Sequence, residues 1–252
     1  MEKMDTIIRN RLQELADRSF RESVFLFTDF LAASDLSCFY EMKKELDYAG
    51  TEVFGGVDGA ERCMVRFGSP ENLGYEVDFP IELLHISPLQ KKFSDTLTHR
   101  DILGSVIGLG LERSRLGDIK VKDNDAYIFV SEVVSNYIIE NLSYVKHTRV
   151  KVEKCEKVPQ ELAPELVEED IIVSSNRLDA IIAKVFNLSR DVSVRYISEG
   201  KVFINGREMT GNAKSLKEGD IVSVRGKGKF LFEGEGGMTR KEKLYIKIRR
   251  YV

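Results

Sequence analysis

Apolar residues recur at Leu178, Ile181, Ile182, Val185 and Leu188, the spacing of one face of an α-helix. Ser174, Ser175 and Asn176 offer N-caps ahead of it, and Asp179, three residues after Asn176, gives a capping-box-like start. Ser189 caps a second helix over residues 190–199, which Gly200 stops. The pattern then changes to short strands over 201–204 and 221–224, separated by Asn205-Gly206, a strong hairpin signal, and Gly219-Asp220. Strands over 229–233 and 244–249 follow, around a glycine-rich stretch and the basic run 238–243.

Earlier in the chain the elements are less sharply written. Residues 5–19 and 34–48 read as helices, with Ser34 as N-cap and Gly50 as a stop. Residues 51–56 and 62–67 read as strands around a turn at 55–59. The order then becomes strand 76–86, helix 98–109, strands 118–121 and 126–130, helix 131–142 and strand 147–152. That βαββαβ order is the one used by ferredoxin-like and RRM folds. The expected class is α+β: an N-terminal α+β domain (1–75), a ferredoxin-like middle domain (76–157), a linker (158–173) and a helix-helix-hairpin domain (174–252). The linker reading rests on two prolines and five acidic residues without a basic one, a composition that keeps a chain extended.

Charge changes this picture more than composition does. The net charge of −3 conceals a division: residues 174–252 hold 17 basic and 9 acidic residues, whereas residues 1–173 hold 21 and 32. A terminal domain with a net charge of +8 is suited to a polyanion. With 42% hydrophobic residues the chain can bury real cores, yet no apolar run approaches the ~20 residues of a membrane span. Its first five residues carry charges of both signs and no apolar run, and predict no secretory leader. Cys38, Cys63 and Cys155 are too far apart for a disulfide framework or a metal knuckle and fit a reducing cytoplasm. His85, His99 and His147 are equally scattered, so no metal and no cofactor is expected.

The cations of the last domain fall at chosen places. Arg177 opens the first helix and Lys184 lies two turns further on the same face. Ser189 and Arg190 sit at the second helix's N-terminus, where free N–H groups and the helix dipole already favour phosphate. Arg195 projects from that helix, Lys201 begins the following strand, and Lys214 lies in the hairpin return. Arg225, Lys227 and Lys229 alternate with glycines that permit close backbone approach. Singly, each has a plain alternative as a solvated surface residue, and Arg177 could pair with an acid of its own helix. Jointly they form an electrostatic footprint for nucleic acid.

The segments Arg177-Leu178-Asp179, Leu188-Ser189-Arg190, 197–206 and 216–220 resemble the S-four RNA-binding domain, over about sixty residues in the right order. That resemblance implies RNA rather than DNA, gripped by shape and phosphates. Over its whole length the chain resembles the bacterial YlmH family, through Gly55–Arg62, His99–Gly104, Gly108–Ile119 and Arg225–Phe230. Lys229 stands where that family's ending more usually has Arg, so the charge is kept and the planar fork lost. The expected protein is a non-catalytic, cytoplasmic factor whose oligomeric state the sequence leaves open, a monomer being favoured, and the family resemblance implies association with the ribosome. It would bind large-subunit ribosomal RNA and peptidyl-tRNA on blocked subunits, supporting rescue or nascent-chain tailing, with no membrane or DNA partner.

Other motifs fail on their own terms. His99-Arg100-Asp101 lacks the asparagine that a kinase loop needs, since position 106 is Val. Residues 108–113 resemble a dinucleotide fingerprint but end in Arg113 and follow a helix. Arg100, Arg113 and Arg115 are therefore read as possible secondary RNA contacts. Arg177-Leu178-Asp179 imitates a pseudouridine synthase motif, but Asp179 reads more simply as a first-turn acid near the helix dipole. Tyr127 and Phe129 alternate on one strand and are read as core. The rivals to an RNA-binding factor are an RNA-modifying enzyme with its chemistry in 1–157, and an adaptor, linked to cell division, whose acidic first domain binds a protein.

Overall fold

The computed structural model describes residues 2–159, 162, 166–239 and 241–251, and the chain forms two units, 1–163 and 164–252. The first unit begins with α1 (Glu2–Glu22), β1 (Leu26–Phe27), α2 (Ala33–Leu46), β2 (Thr51–Phe54) and β3 (Met64–Phe67). The three strands pair antiparallel in the order β1-β3-β2. Leu12, Leu15, Phe39, Leu46 and Phe67 form the core between helices and strands. Ala32, not the expected Ser34, occupies the N-cap of α2, and it makes no side-chain cap.

After a short α3 (Pro70–Leu73) come β4 (Ile81–Pro88), α4 (His99–Ile107), β5 (Leu116–Lys122), β6 (Asp125–Ser131), α5 (Glu132–Asn141), β7 (Tyr144–Val145) and β8 (Thr148–Cys155). The expected βαββαβ order is present, with β7 added, in an antiparallel sheet ordered β5-β6-β4-β8-β7. Strand alternation sends Leu84, Ile86, Ile128, Val130, Val150 and Val152 into one core with Ile102 and Val106 of α4 and Val134 and Ile138 of α5. His99-Arg100-Asp101 proves to be a helix start. Thr98 and Asp101 form a reciprocal capping box, and Lys146 bonds the Asp101 carboxylate at 2.7 Å.

A boundary at residue 75 does not divide this unit. Leu83 and Phe129, on the sheet face away from α4 and α5, pack with Phe30 and Met64 of the N-terminal segment. A Cβ at Gly56, which has φ +94°, would lie 2.2 Å from the Phe129 ring. Arg62 joins the two parts: its Nε donates to the Leu116 carbonyl (2.8 Å) and its Nη2 to those of Phe30 (2.9 Å) and Arg113 (3.1 Å). In return the Asp118 carboxylate accepts the backbone N–H groups of Glu61 (2.7 Å) and Arg62 (3.1 Å). The two family-like segments, 55–62 and 108–119, thus meet each other.

The second unit runs β9 (Leu166–Val173), α6 (Leu178–Val185), α7 (Arg190–Ser198), β10 (Val202–Ile204), β11 (Arg207–Glu208), β12 (Ile221–Val224), β13 (Gly228–Met238) and β14 (Leu244–Tyr251). Its six-stranded antiparallel sheet is ordered β11-β10-β12-β13-β14-β9. One face of the sheet packs against Leu178, Ile181, Ile182 and Val185 of α6 and Ile197 of α7. The expected linker 158–173 is here corrected. Residues 160, 161 and 163–165 lie outside the described residues, but 166–173 form an edge strand paired with β14 over its whole length. Its acids lie beside the basic end of β14, and Glu169 binds Arg250 at 2.6 Å. Charged residues also suit an exposed sheet edge, because they discourage pairing with another chain. Counting this strand, residues 164–252 carry 17 basic and 13 acidic residues, a net of +4.

Arg62→Leu removes three side-chain hydrogen bonds to carbonyls at the join. It should lower the stability of the first unit by about 2–4 kcal/mol in urea unfolding followed by circular dichroism, and an unchanged midpoint would show that Arg62 is not a latch. The hydrogen bonds from Lys146 and Thr98 hold Asp101 at a pKa of about 2, below its ordinary 3.8. A depressed folded pKa contributes stability above the unfolded value that is lost as pH falls through the folded one. Asp101→Ala should therefore lower the melting temperature at neutral pH and converge with the parent chain in strong acid.

Candidate nucleic-acid interface

The helix pair is organised around a carboxylate that the sequence reading assigned to a capping box and to the helix dipole. Asp179 is buried, its side chain 2% exposed, in the first turn of α6. Its Oδ1 accepts from Arg177 Nε at 3.0 Å, and its Oδ2 accepts from Arg177 Nη2 at 3.2 Å and from Arg190 Nε at 3.0 Å. Ser193 Oγ donates to the Asp179 carbonyl at 2.8 Å, tying α7 to α6 at the same point. Burial pushes the Asp179 pKa up, but the hydrogen bonds and charges of Arg177 and Arg190 outweigh it and hold the group below the ordinary carboxylate value. An unpaired charge here would be costly, so the two arginines serve the fold as well as the surface.

Both guanidinium groups remain accessible. The Arg177 side chain is 38% exposed and that of Arg190 53%. Only Nε of Arg190 is engaged, so its two terminal amino groups have no partner among the described residues. Two cations on one anion leave a local excess of positive charge whose geometry is set before any ligand arrives. Lys184 and Arg190 line a shallow groove floored by Ile172, Ala180, Ala183 and Leu188. Lys184, Arg195, Lys214 and Lys227 are exposed and make no ion pair among the described residues.

The helix starts differ from expectation. Asn176 does not cap α6; its side chain bonds both the N–H and the carbonyl of Leu216. The first N–H groups of α6 are taken by the carbonyls of Lys214 (2.8 Å, from Leu178) and Asn212 (3.3 Å, from Asp179). This places Lys214 beside Arg177. Ser189 does cap α7, accepting from the Val192 N–H at 3.3 Å.

Two of the remaining sequence-predicted cations, Arg225 and Lys229, do not join this surface. Val224 and Phe230 are buried beneath the helices, so the period of two along a strand carries Arg225 and Lys229 to the opposite face of the sheet. There the Arg225 guanidinium lies 5.4 Å from the Phe203 ring centre, and Lys229 Nζ lies 4.8 Å from that of Tyr251. Lys227 is on the turn between β12 and β13. Lys201 is paired with Glu199 at 2.6 Å and lies over Tyr196. A single converging surface is therefore replaced by two faces of one sheet.

In the first unit, Arg113 is structural. Its Nη1 donates to the carbonyls of Leu116 (2.7 Å) and Gly117 (3.3 Å), and burial lowers its pKa, helped by neighbouring Arg62. Arg115 pairs with Asp29 at 2.8 Å. Arg100 is exposed and has no partner among the described residues. Phe129 is core, as read, while Tyr127 is stacked on His85 with ring centres 4.7 Å apart. The buried position of Asp179 had one signal in the sequence: it precedes Ile182 by three residues, on the edge of the apolar face of α6.

Residues 75–158 match the family model described as "Putative RNA-binding domain in YlmH". The Ribosome-associated protein quality control protein P2 of Bacillus subtilis (strain 168) is 28% identical over 228 residues, spanning 88% of this chain and 86% of that protein. A solved structure titled "Cell division protein ylmH from Streptococcus pneumoniae" is 22% identical, with a TM-score of 0.48 over 64% of this chain and 94% of that one.

Asp179→Asn removes a negative charge from beneath the helix pair, and charge counting alone would tighten RNA binding. Loss of the arginine geometry should instead weaken it, with a loss of stability of about 1–3 kcal/mol. Filter binding beside thermal melts decides the sign, and tighter RNA binding by the variant would refute the positioning role.

Proposed function

The chain belongs to the YlmH family of RNA-binding proteins, and from that premise we propose that it is a non-catalytic factor that associates with the large ribosomal subunit. In this reading the second unit is an S-four-type module extended by β13 and β14, and residues 76–157 form a ferredoxin-like RNA-binding fold. The target is ribosomal RNA together with peptidyl-tRNA on a blocked subunit, in the cytoplasm. The name of the Bacillus subtilis relative, a ribosome-associated quality control protein, supports the setting.

The observation that carries the proposal is the arginine pair held on buried Asp179, with Lys184, Arg195 and Lys214 unpaired among the described residues of the same unit. Such a pair meets phosphate oxygens with planar forks whose orientation needs no further ordering. An acidic cleft of the first unit supports binding over RNA modification. Glu52, Glu76, Asp78, Glu82 and Glu156 line it against only Arg66 and Lys154, an arrangement that repels a phosphate backbone. No helix among the described residues is long and apolar enough to cross a membrane.

Binding to purified large subunits should weaken steeply as salt rises, because each neutralised phosphate releases counterions. Lys184→Ala with Arg195→Ala spares Asp179 its partners, so the fold is kept. This variant should bind at least about tenfold more weakly and reduce the log–log salt slope by about two. A flat salt dependence, or a variant that co-sediments like the parent chain, would count against the assignment. A ribosomal RNA modification that disappears with the protein would overturn the non-catalytic reading.

A further inference from the structure

Among the described residues, no helix or strand of its own unit packs on the face of the C-terminal sheet away from α6 and α7. Strand alternation determines what it presents. Val202 and Ile204, Val222 and Val224, Phe230 and Phe232, and Ile246 and Ile248 point into the core. Their neighbours Phe203, Ser223, Lys229 and Tyr251 therefore share the opposite face. The register aligns these in one row: Phe203 opposes Ser223, Ser223 opposes Lys229, and the pairing of Phe230 with Arg250 brings Lys229 beside Tyr251. At the strand spacing of about 4.8 Å, the two aromatic rings stand roughly 14 Å apart across four strands. Each carries a cation over its ring, Arg225 on Phe203 and Lys229 on Tyr251.

We propose that this row is a second RNA site, one that takes single-stranded RNA by stacking its bases on Phe203 and Tyr251 while Arg225 and Lys229 meet its phosphates. Aromatic rings alternating with cations on an open sheet are what a flexible, unpaired strand needs, since every base has a π-face and every linkage a negative charge. Charge complementarity selects this occupant. Between Phe203 and Tyr251 the row contains no carboxylate; Glu208 of β11 ends it by opposing Phe203, and the next row, Ile221, Leu231 and Arg249, is apolar until Arg249 meets Glu233. Carboxylates gather on the far side of the sheet, where Glu168 and Asp170 of β9 oppose Arg249 and Lys247. An unpaired strand is therefore drawn to the β10–β13 side and steered away from β9. The helix pair, on the other side of the sheet, is a separate site for folded RNA. This inference rests on the RNA-binding reading above and adds a second class of RNA to it.

The test uses the full chain and an eight-nucleotide adenosine RNA carrying one 2-aminopurine, read by fluorescence, beside sedimentation with large subunits. The parent chain should bind the oligonucleotide and change the 2-aminopurine signal as the base stacks. Phe203→Leu with Tyr251→Leu keeps apolar bulk but removes the rings, and should weaken binding by about tenfold or more and abolish the signal change. Arg225→Gln, an exposed change that leaves the core intact, should weaken it severalfold with the signal change retained. Lys184→Ala with Arg195→Ala should affect the oligonucleotide far less than either. If the oligonucleotide ignores the parent chain, or if it responds to the helix-pair variant and not to the sheet variants, the sheet site is refuted. In those cases subunit binding by the parent chain still leaves the proposed function standing. Failure of the parent chain to bind subunits at any salt concentration removes that function instead.

Discussion

A carboxylate buried at the start of a helix must find positive charge, and in this chain that requirement shapes the surface above it. Asp179 draws Arg177 from its own helix and Arg190 from the next, so two flexible side chains that would otherwise wander in solvent are held by their Nε atoms. Ser193 closes the same junction through the Asp179 carbonyl. The helix-helix angle, the burial of the acid and the presentation of the guanidinium groups are thus one structural fact. It follows that replacing either arginine perturbs folding and binding together. The unpaired Lys184, Arg195 and Lys214 are the cleaner probes of the surface.

The distribution of charge follows from sheet geometry. A strand with one face in a core must put every second residue on the other side, so a basic segment such as 225–229 cannot deliver all its cations to one place. The acids of β9 are paired in register with the basic end of β14, which lowers the unit's net charge and concentrates the uncompensated cations elsewhere. The helix pair keeps that charge, and so does Arg225 over Phe203 on the open face. The β9 side loses it.

The first unit spends its conspicuous arginines on itself. Arg62 and Arg113 satisfy backbone carbonyls at the join between the N-terminal segment and the β4–β8 sheet, and Arg115 pairs with Asp29. Gly56 and Gly117 lie against Phe129 and Phe30 where no side chain fits. The family-like segments of this unit therefore build a rigid join. The face of the β4–β8 sheet away from its helices is closed at Leu83 and Phe129 by the N-terminal segment.

Local periodicity and turn chemistry determined the elements: the βαββαβ order, the Ser189-capped helix and the Asn205-Gly206 turn all depend on residues within a few positions of each other. The cations of the last unit were also visible, because charge density needs no coordinates. Tertiary structure alone decided who their partners are. Asp179 and Arg190 are eleven positions apart, Arg62 and Leu116 fifty-four, and the acids of 168–170 meet their basic partners about eighty positions away. An acidic, proline-flanked stretch looks like a linker until a distant strand supplies its hydrogen bonds. Whether a charge faces a ligand or its own chain depends on such long-range pairings, which no local pattern encodes.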